Sequence, residues 1–200
     1  MSEDANDPQR FRSAQLRALP GESGVYALCD LDGVPIYIGS SIKSKAEGIG
    51  PRVRRHLTSA RSDVIANRQL DVWEVGYVLG WLCNDADVKV LEALLFHLFD
   101  RKSPLINGTV PGLPTRKLKP PEPIKVQILS DSEIALRKQP RYRFPRQVQQ
   151  FNQLLDYILH TKDESHLRRA LNVHLQRVNR FYAEFTATKP QITETPEGSG

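Results

Sequence analysis

Cysteine is almost missing from this sequence. Cys29 and Cys83 are the only two in 200 residues, and they show no metal-ligand or redox spacing. That excludes a zinc ribbon or a RING-type centre and fits a reducing cytosol. Long apolar runs are missing too. The longest, around residues 88–99 and 151–159, are short and interrupted, so no membrane span is expected. The first eight residues, Met-Ser-Glu-Asp-Ala-Asn-Asp-Pro, carry acids where a signal peptide would carry basic residues and an apolar core, so a cytoplasmic chain is the expectation. Both ends carry acids and no basic residue, over 1–7 and 190–200, which leaves the middle more basic than the net charge of +5 suggests. A pI near 9.3 is compatible with a nucleic-acid partner. With 40% hydrophobic residues and regular periodic segments, wholesale disorder is excluded.

What is there begins with the stretch Gly24–Gly39. Two β-branched and aromatic runs flank Asp32-Gly33, the dipeptide that most readily turns a hairpin, and they set Tyr26 and Tyr37 on neighbouring antiparallel strands. Residues 1–9 read as a solvated tail and 10–19 as a short helix. A polar loop over 41–50 leads to Pro51, placed where a helix begins, and a basic helix follows over 52–61. Residues 71–80 alternate as a third strand. Asp85 or Asp87 can cap a helix over 86–101, whose Val88, Leu91, Leu94, Leu95, Leu98 and Phe99 form an apolar stripe beside Glu92. The Pro-rich basic stretch 111–123 reads as a linker. Beyond it, 124–129 reads as a strand, and 145–160 and 164–185 as helices. On the second of these, Leu167, Leu171, His174, Val178, Phe181 and Phe185 trace a heptad seam. The seam closes an intramolecular αα-hairpin or, alternatively, a homodimer through the C-terminal helices. Thr, Pro, Glu and Gly from 186 to 200 predict a disordered tail.

Chemistry gathers behind the hairpin. Arg52 and His56 lie four apart, on one face of a helix. Glu92 sits beside an apolar stripe, and Asn107 stands just after that helix stops. Two tyrosines, an arginine, a histidine, a carboxylate and an amide suit phosphodiester hydrolysis. The carboxylate can anchor Mg²⁺, the guanidinium can neutralise phosphate charge, and a phenol or imidazole can handle protons.

The same residues resemble the GIY-YIG nuclease family. Gly24-Val25-Tyr26 matches the first motif and Tyr37-Ile38-Gly39 the second. Arg52 with His56 resembles the family's Arg-x-x-x-His helix, Glu92 its metal-binding glutamate and Asn107-Gly108 its terminal asparagine. The likeness covers residues 20–110. It implies an α+β fold in which a small three-stranded antiparallel sheet is flanked by helices, followed by a mainly helical DNA-binding or assembly region over 124–185. It also implies a metal-dependent DNA endonuclease. Glu92 would bind one Mg²⁺ or Mn²⁺, Tyr26 would act as general base, Arg52 would stabilise the phosphate, Tyr37 would position phosphate or water, and Asn107 would orient Tyr26 or the backbone around it. The long loop before Pro51 leaves Arg54 and Arg55 as alternatives to Arg52.

Past residue 110 the charge is concentrated. Residues 110–150 hold nine basic residues against three acids, a local net of +6. Arg116, Lys117 and Lys119 lie in the linker, and Arg141-Tyr-Arg-Phe-Pro-Arg146 interleaves cations with aromatics in the manner of a nucleic-acid surface. Arg54, Arg55, Arg61, Arg116, Lys117, Lys119, Arg141, Arg143 and Arg146 are therefore the candidate DNA contacts. The rival reading is a non-catalytic nucleic-acid-binding or scaffold protein that retains the fold.

Overall fold

The computed structural model of the chain describes residues 7–58 and 68–188. Arg61 and the greater part of both terminal tails lie outside the described residues. The fold is α+β: one antiparallel sheet and, among the described residues, six α-helices.

Strands β1 (Gly24–Asp30) and β2 (Pro35–Ser41) form the expected hairpin. Its connection is wider than a two-residue turn. Asp30 Oδ1 accepts from the backbone N–H groups of Asp32 and Val34, each at 3.0 Å, and Gly33 turns the chain at φ +78°. That left-handed conformation is where glycine carries no steric cost. Strand β3 (Val75–Leu82) pairs with the other edge of β1. The expectation of three strands is corrected by β4 (Ile124–Gln127), which pairs antiparallel with β3 and gives the order β2-β1-β3-β4.

Every residue of β1 is buried because both faces of the sheet are covered, which is why this strand reads as apolar throughout. Val25, Ala27 and Cys29 face Val88, Leu91, Leu95 and Phe96 of α3 (Val88–Asp100). Tyr26 and Leu28 face the other way, towards Leu16 after α1 (Pro8–Gln15) and towards Ile49, Val53 and Leu57 of α2 (Ile49–Thr58). Neither acid proposed as the α3 cap bonds the helix. Asp87 stands at the cap position without a side-chain capping bond and pairs with Arg116, and Asp85 accepts from Ser23 and Ser44 instead.

Three further helices follow the Pro-rich stretch: α4 (Asp131–Lys138), α5 (Pro140–His160) and α6 (Ser165–Ala187). The first of these was not expected, α5 begins five residues before Pro145, and α6 runs past residue 186. Helices α5 and α6 pack as a hairpin over Leu154, Ile158, Leu167 and Ala170. Val126, Ile128 and Val173 join the same core as Tyr26 and Leu28, so the C-terminal segment shares its packing with the sheet. Among the described residues, no helix is long and apolar enough to cross a membrane.

Candidate active site

The hairpin places its two tyrosines against α2. Tyr26 is 1% exposed, and its ring centroid lies 6.3 Å from Tyr37 and 5.9 Å from His56, with Tyr37 and His56 at 5.8 Å. The ring of Tyr26 lies across Gly39, its partner in register on β2. A Cβ at Gly39 would collide with Cζ and Oη of that ring, so the close approach requires glycine. One turn before His56, Arg52 hydrogen-bonds the Tyr26 phenol, while its buried Nε has no hydrogen-bond partner. Of the three arginines on α2, Arg52 is therefore the one that reaches this cluster. Arg54 donates to the Leu16 carbonyl at 3.4 Å, and Arg55 pairs with Glu47 at 2.7 Å.

Burial and the neighbouring Tyr37 hold the pKa of Tyr26 well above the usual 10 of a phenol, against the opposing pull of Arg52. Burial opposes, and Arg52 favours, the phenolate that the proton-accepting role implied for Tyr26 would use.

Asn107 reaches back to the free edge of β2. Its Oδ1 accepts from the Ile38 N–H at 2.9 Å, and its Nδ2 donates to the Ile38 carbonyl at 2.6 Å. Together with the bond from Ile106 N to Ile36 O at 2.8 Å, this satisfies the unpaired edge of the sheet and fixes the turn after α3 against it. The part of the expectation concerning the backbone around the site describes this contact; no contact of Asn107 with Tyr26 is seen.

Glu92 faces a cavity of about 650 Å³ together with Tyr37, Lys89, Asn107 and His166, closed on one side by residues 111–115. Its Oε2 lies 2.8 Å from Lys89 Nζ, three residues earlier on the same helix, an ordinary helical ion pair. Among the described residues no group of three or more His, Cys, Asp or Glu side chains is placed to hold a metal ion. One carboxylate in a polar cavity fits Mg²⁺ or Mn²⁺, which take waters and substrate oxygens for the remaining positions, and does not fit zinc.

Two of the candidate DNA contacts are corrected. Arg143 is 2% exposed and spends its guanidinium on Glu74 at 2.6 and 2.8 Å and on Asp32 at 2.6 Å. Arg146 bonds Glu74 at 2.7 Å and Asp71 at 3.2 Å. Both face acids inside the fold, so neither is offered to a phosphate backbone. Arg116 pairs with Asp87, while Lys117, Lys119 and Arg141 are exposed. His97 Nε2 lies 2.9 Å from the Pro111 carbonyl oxygen and 3.2 Å from that of Gly112, pinning the segment that closes the cavity.

Sequence reasoning missed the contribution of α6. Arg169 donates to the carbonyls of Leu105 (2.6 Å) and Asn107 and pairs with Asp100 at 2.6 Å, and His166 packs on Gly108. Both lie off the apolar seam, and no local spacing marks them. Compared with protein-family models, with curated proteins and with solved structures, the chain matches none.

Proposed function

We propose that this chain is a metal-dependent endonuclease that hydrolyses DNA phosphodiester bonds through a GIY-YIG-like site. One observation carries the reading. Five separate segments, β1, β2, α2, α3 and the turn after α3, bring Tyr26, Tyr37, Arg52, His56, Glu92 and Asn107 to one region of the fold. A scaffold protein has no need of a guanidinium held on a buried phenol beside a cavity containing a carboxylate.

Glu92 would hold the divalent ion, which when bound supplies charge neutralisation at the phosphate. Arg52, fixed by the Tyr26 phenol, supplies a fixed positive charge that strengthens as phosphate charge develops. Tyr37 lines the cavity and contacts phosphate or water from the β2 side. Asn107 keeps the β2 edge and the cavity wall in register. The exposed cations Arg55, Arg116, Lys117, Lys119 and Arg141 are the DNA contacts that remain available, the first two from surface ion pairs.

Supercoiled plasmid incubated with Mg²⁺ tests this reading. The chain is expected to nick the plasmid, and Glu92→Ala is expected to lose about 100-fold or more in rate while still binding DNA. Absence of nicking by the unaltered chain at several salt concentrations sinks the nuclease reading and favours the scaffold alternative.

A further inference from the structure

Tyr26 is not among the residues lining the cavity that holds Glu92, whereas a histidine from α6 is. His166 is the second residue of α6 and lines the cavity with Tyr37, Lys89, Glu92 and Asn107. Its Nδ1 lies 2.8 Å from Glu164 Oε2, the residue just before the helix, and the other Glu164 oxygen lies 2.9 Å from Lys162 Nζ. A carboxylate at Nδ1 fixes the tautomer and leaves Nε2 as the accepting nitrogen, the logic by which an acid orients a histidine base.

The imidazole is held firmly. A Cβ on Gly108 would stand 2.7 Å from His166 Cδ2, so the ring rests on the backbone next to Asn107. Three residues on, Arg169 bolts the start of α6 to the Leu105–Asn107 turn. The charged groups around His166 are Glu164 with Lys162, Arg169 with Asp100, and Lys89 with Glu92 across the cavity. The closing segment 111–115 is uncharged.

We propose that His166, oriented by Glu164, is the proton acceptor for the attacking water in this cavity. The inference rests on the phosphodiester reading and adds a catalytic residue from outside the motif-bearing region. As the water oxygen bonds to phosphorus, its proton passes to Nε2. The P–O bond to the sugar breaks, the leaving oxygen takes a proton from solvent, and the imidazolium returns its proton to solvent. Glu164 is the positioning residue.

The experiment measures single-turnover nicking between pH 5 and 9, and binding of labelled duplex without divalent metal by fluorescence anisotropy. His166→Ala should slow nicking by about 100-fold or more with binding unchanged within about twofold, and free imidazole should restore part of the rate. Glu164→Gln should slow it by roughly tenfold, because the imidazole loses the carboxylate that orients it, and Glu164→Asp, which keeps a carboxylate, should recover part of that loss. Melting temperature checks that the variants are folded, and if His166→Ala unfolds, the Glu164 pair carries the test. An unaltered rate in Glu164→Gln, or a His166→Ala loss that imidazole does not relieve, overturns the proposal and leaves the nuclease reading standing. An unaltered chain that nicks at no pH overturns both.

Discussion

Replacing Glu74 with Gln should loosen the attachment of the C-terminal helices to the sheet more than any surface change. Glu74 is 5% exposed, immediately before β3. Its Oε1 accepts from Arg143 at 2.6 and 2.8 Å and from Arg177 at 3.0 Å, and its Oε2 accepts from Arg146 at 2.7 Å. Asp30, fully buried, lies 3.3 Å from Arg177, and Asp32 takes Arg143 at 2.6 Å. Glutamine keeps the shape and removes the charge, so two buried guanidiniums on α5 and α6 lose their nearest carboxylate. Breaking a buried ion pair on one side costs about 3–5 kcal/mol. Asp30 and Asp32 stay in place, which puts the expected loss at about 3 kcal/mol. For a chain of this size that is a fall of roughly 6–12 °C in melting temperature.

Circular dichroism melts and urea titrations at neutral pH measure it. Combining Glu74→Gln with Arg143→Met should cost less than the sum of the two single changes, because each removes part of what the other leaves uncompensated. Arg168→Gln, which breaks the solvent-exposed pair with Asp163, should leave the melting temperature where it is. A fall below about 2 °C for Glu74→Gln, or strict additivity in the double variant, would refute the claim that this buried network fastens the helices.

Two other perturbations separate local from long-range effects. His174 is 3% exposed, bonded to Gln147 and to the Gln69 carbonyl, and burial lowers its pKa to about 4 despite that carbonyl. Its unfolded form takes a proton near 6.5, so its contribution is fully present above pH 6.5 and is lost as the pH falls to about 4, up to roughly 3 kcal/mol. Urea midpoints from pH 7.5 to 4 should show that slope in the unaltered chain and a flatter one in a folded His174→Gln variant, and equal slopes would refute it. Asn107→Asp removes the donor to the Ile38 carbonyl and sets an acceptor there, which should cost about 1–3 kcal/mol in urea unfolding and slow plasmid nicking. Stability and rate both equal to those of the unaltered chain would show that the β2 edge needs no clamp.

What could be read from the sequence divides by range. The β1–β2 hairpin was legible because Asp32-Gly33 and two β-branched runs are local signals. The apolar faces of α3 and α6 were legible in part because a helix repeats its own pattern, but Leu98 and Phe185, expected on those faces, stand exposed, and Phe96, off the expected stripe, is buried. Even α4 carried a readable sign, Ser130 capping the Glu133 N–H in the Ser-x-x-Glu spacing that opens helices. Strand β4 could not be read as part of the sheet, since four residues with one buried side chain say nothing of their partner. The failure at Arg143 and Arg146 has the same root. Arg-Tyr-Arg-Phe-Pro-Arg specifies that cations stand beside aromatics, but not the sign of what they meet, and Glu74 lies 69 residues from Arg143. Asp32 was read as a turn residue alone, and it is Asp30 Oδ1 that serves the turn, while Asp30 Oδ2 and the Asp32 carboxylate bind arginines from α5 and α6. A basic stretch is a nucleic-acid surface only to the extent that its own fold leaves it unpaired. The same ion pairs tie the hairpin carrying Tyr26 to the helix carrying His166. Arg177 and Arg180 make that tie, while Arg143, a charge that sequence reasoning assigned to DNA, fastens the neighbouring α5 to Asp32 of the same hairpin turn.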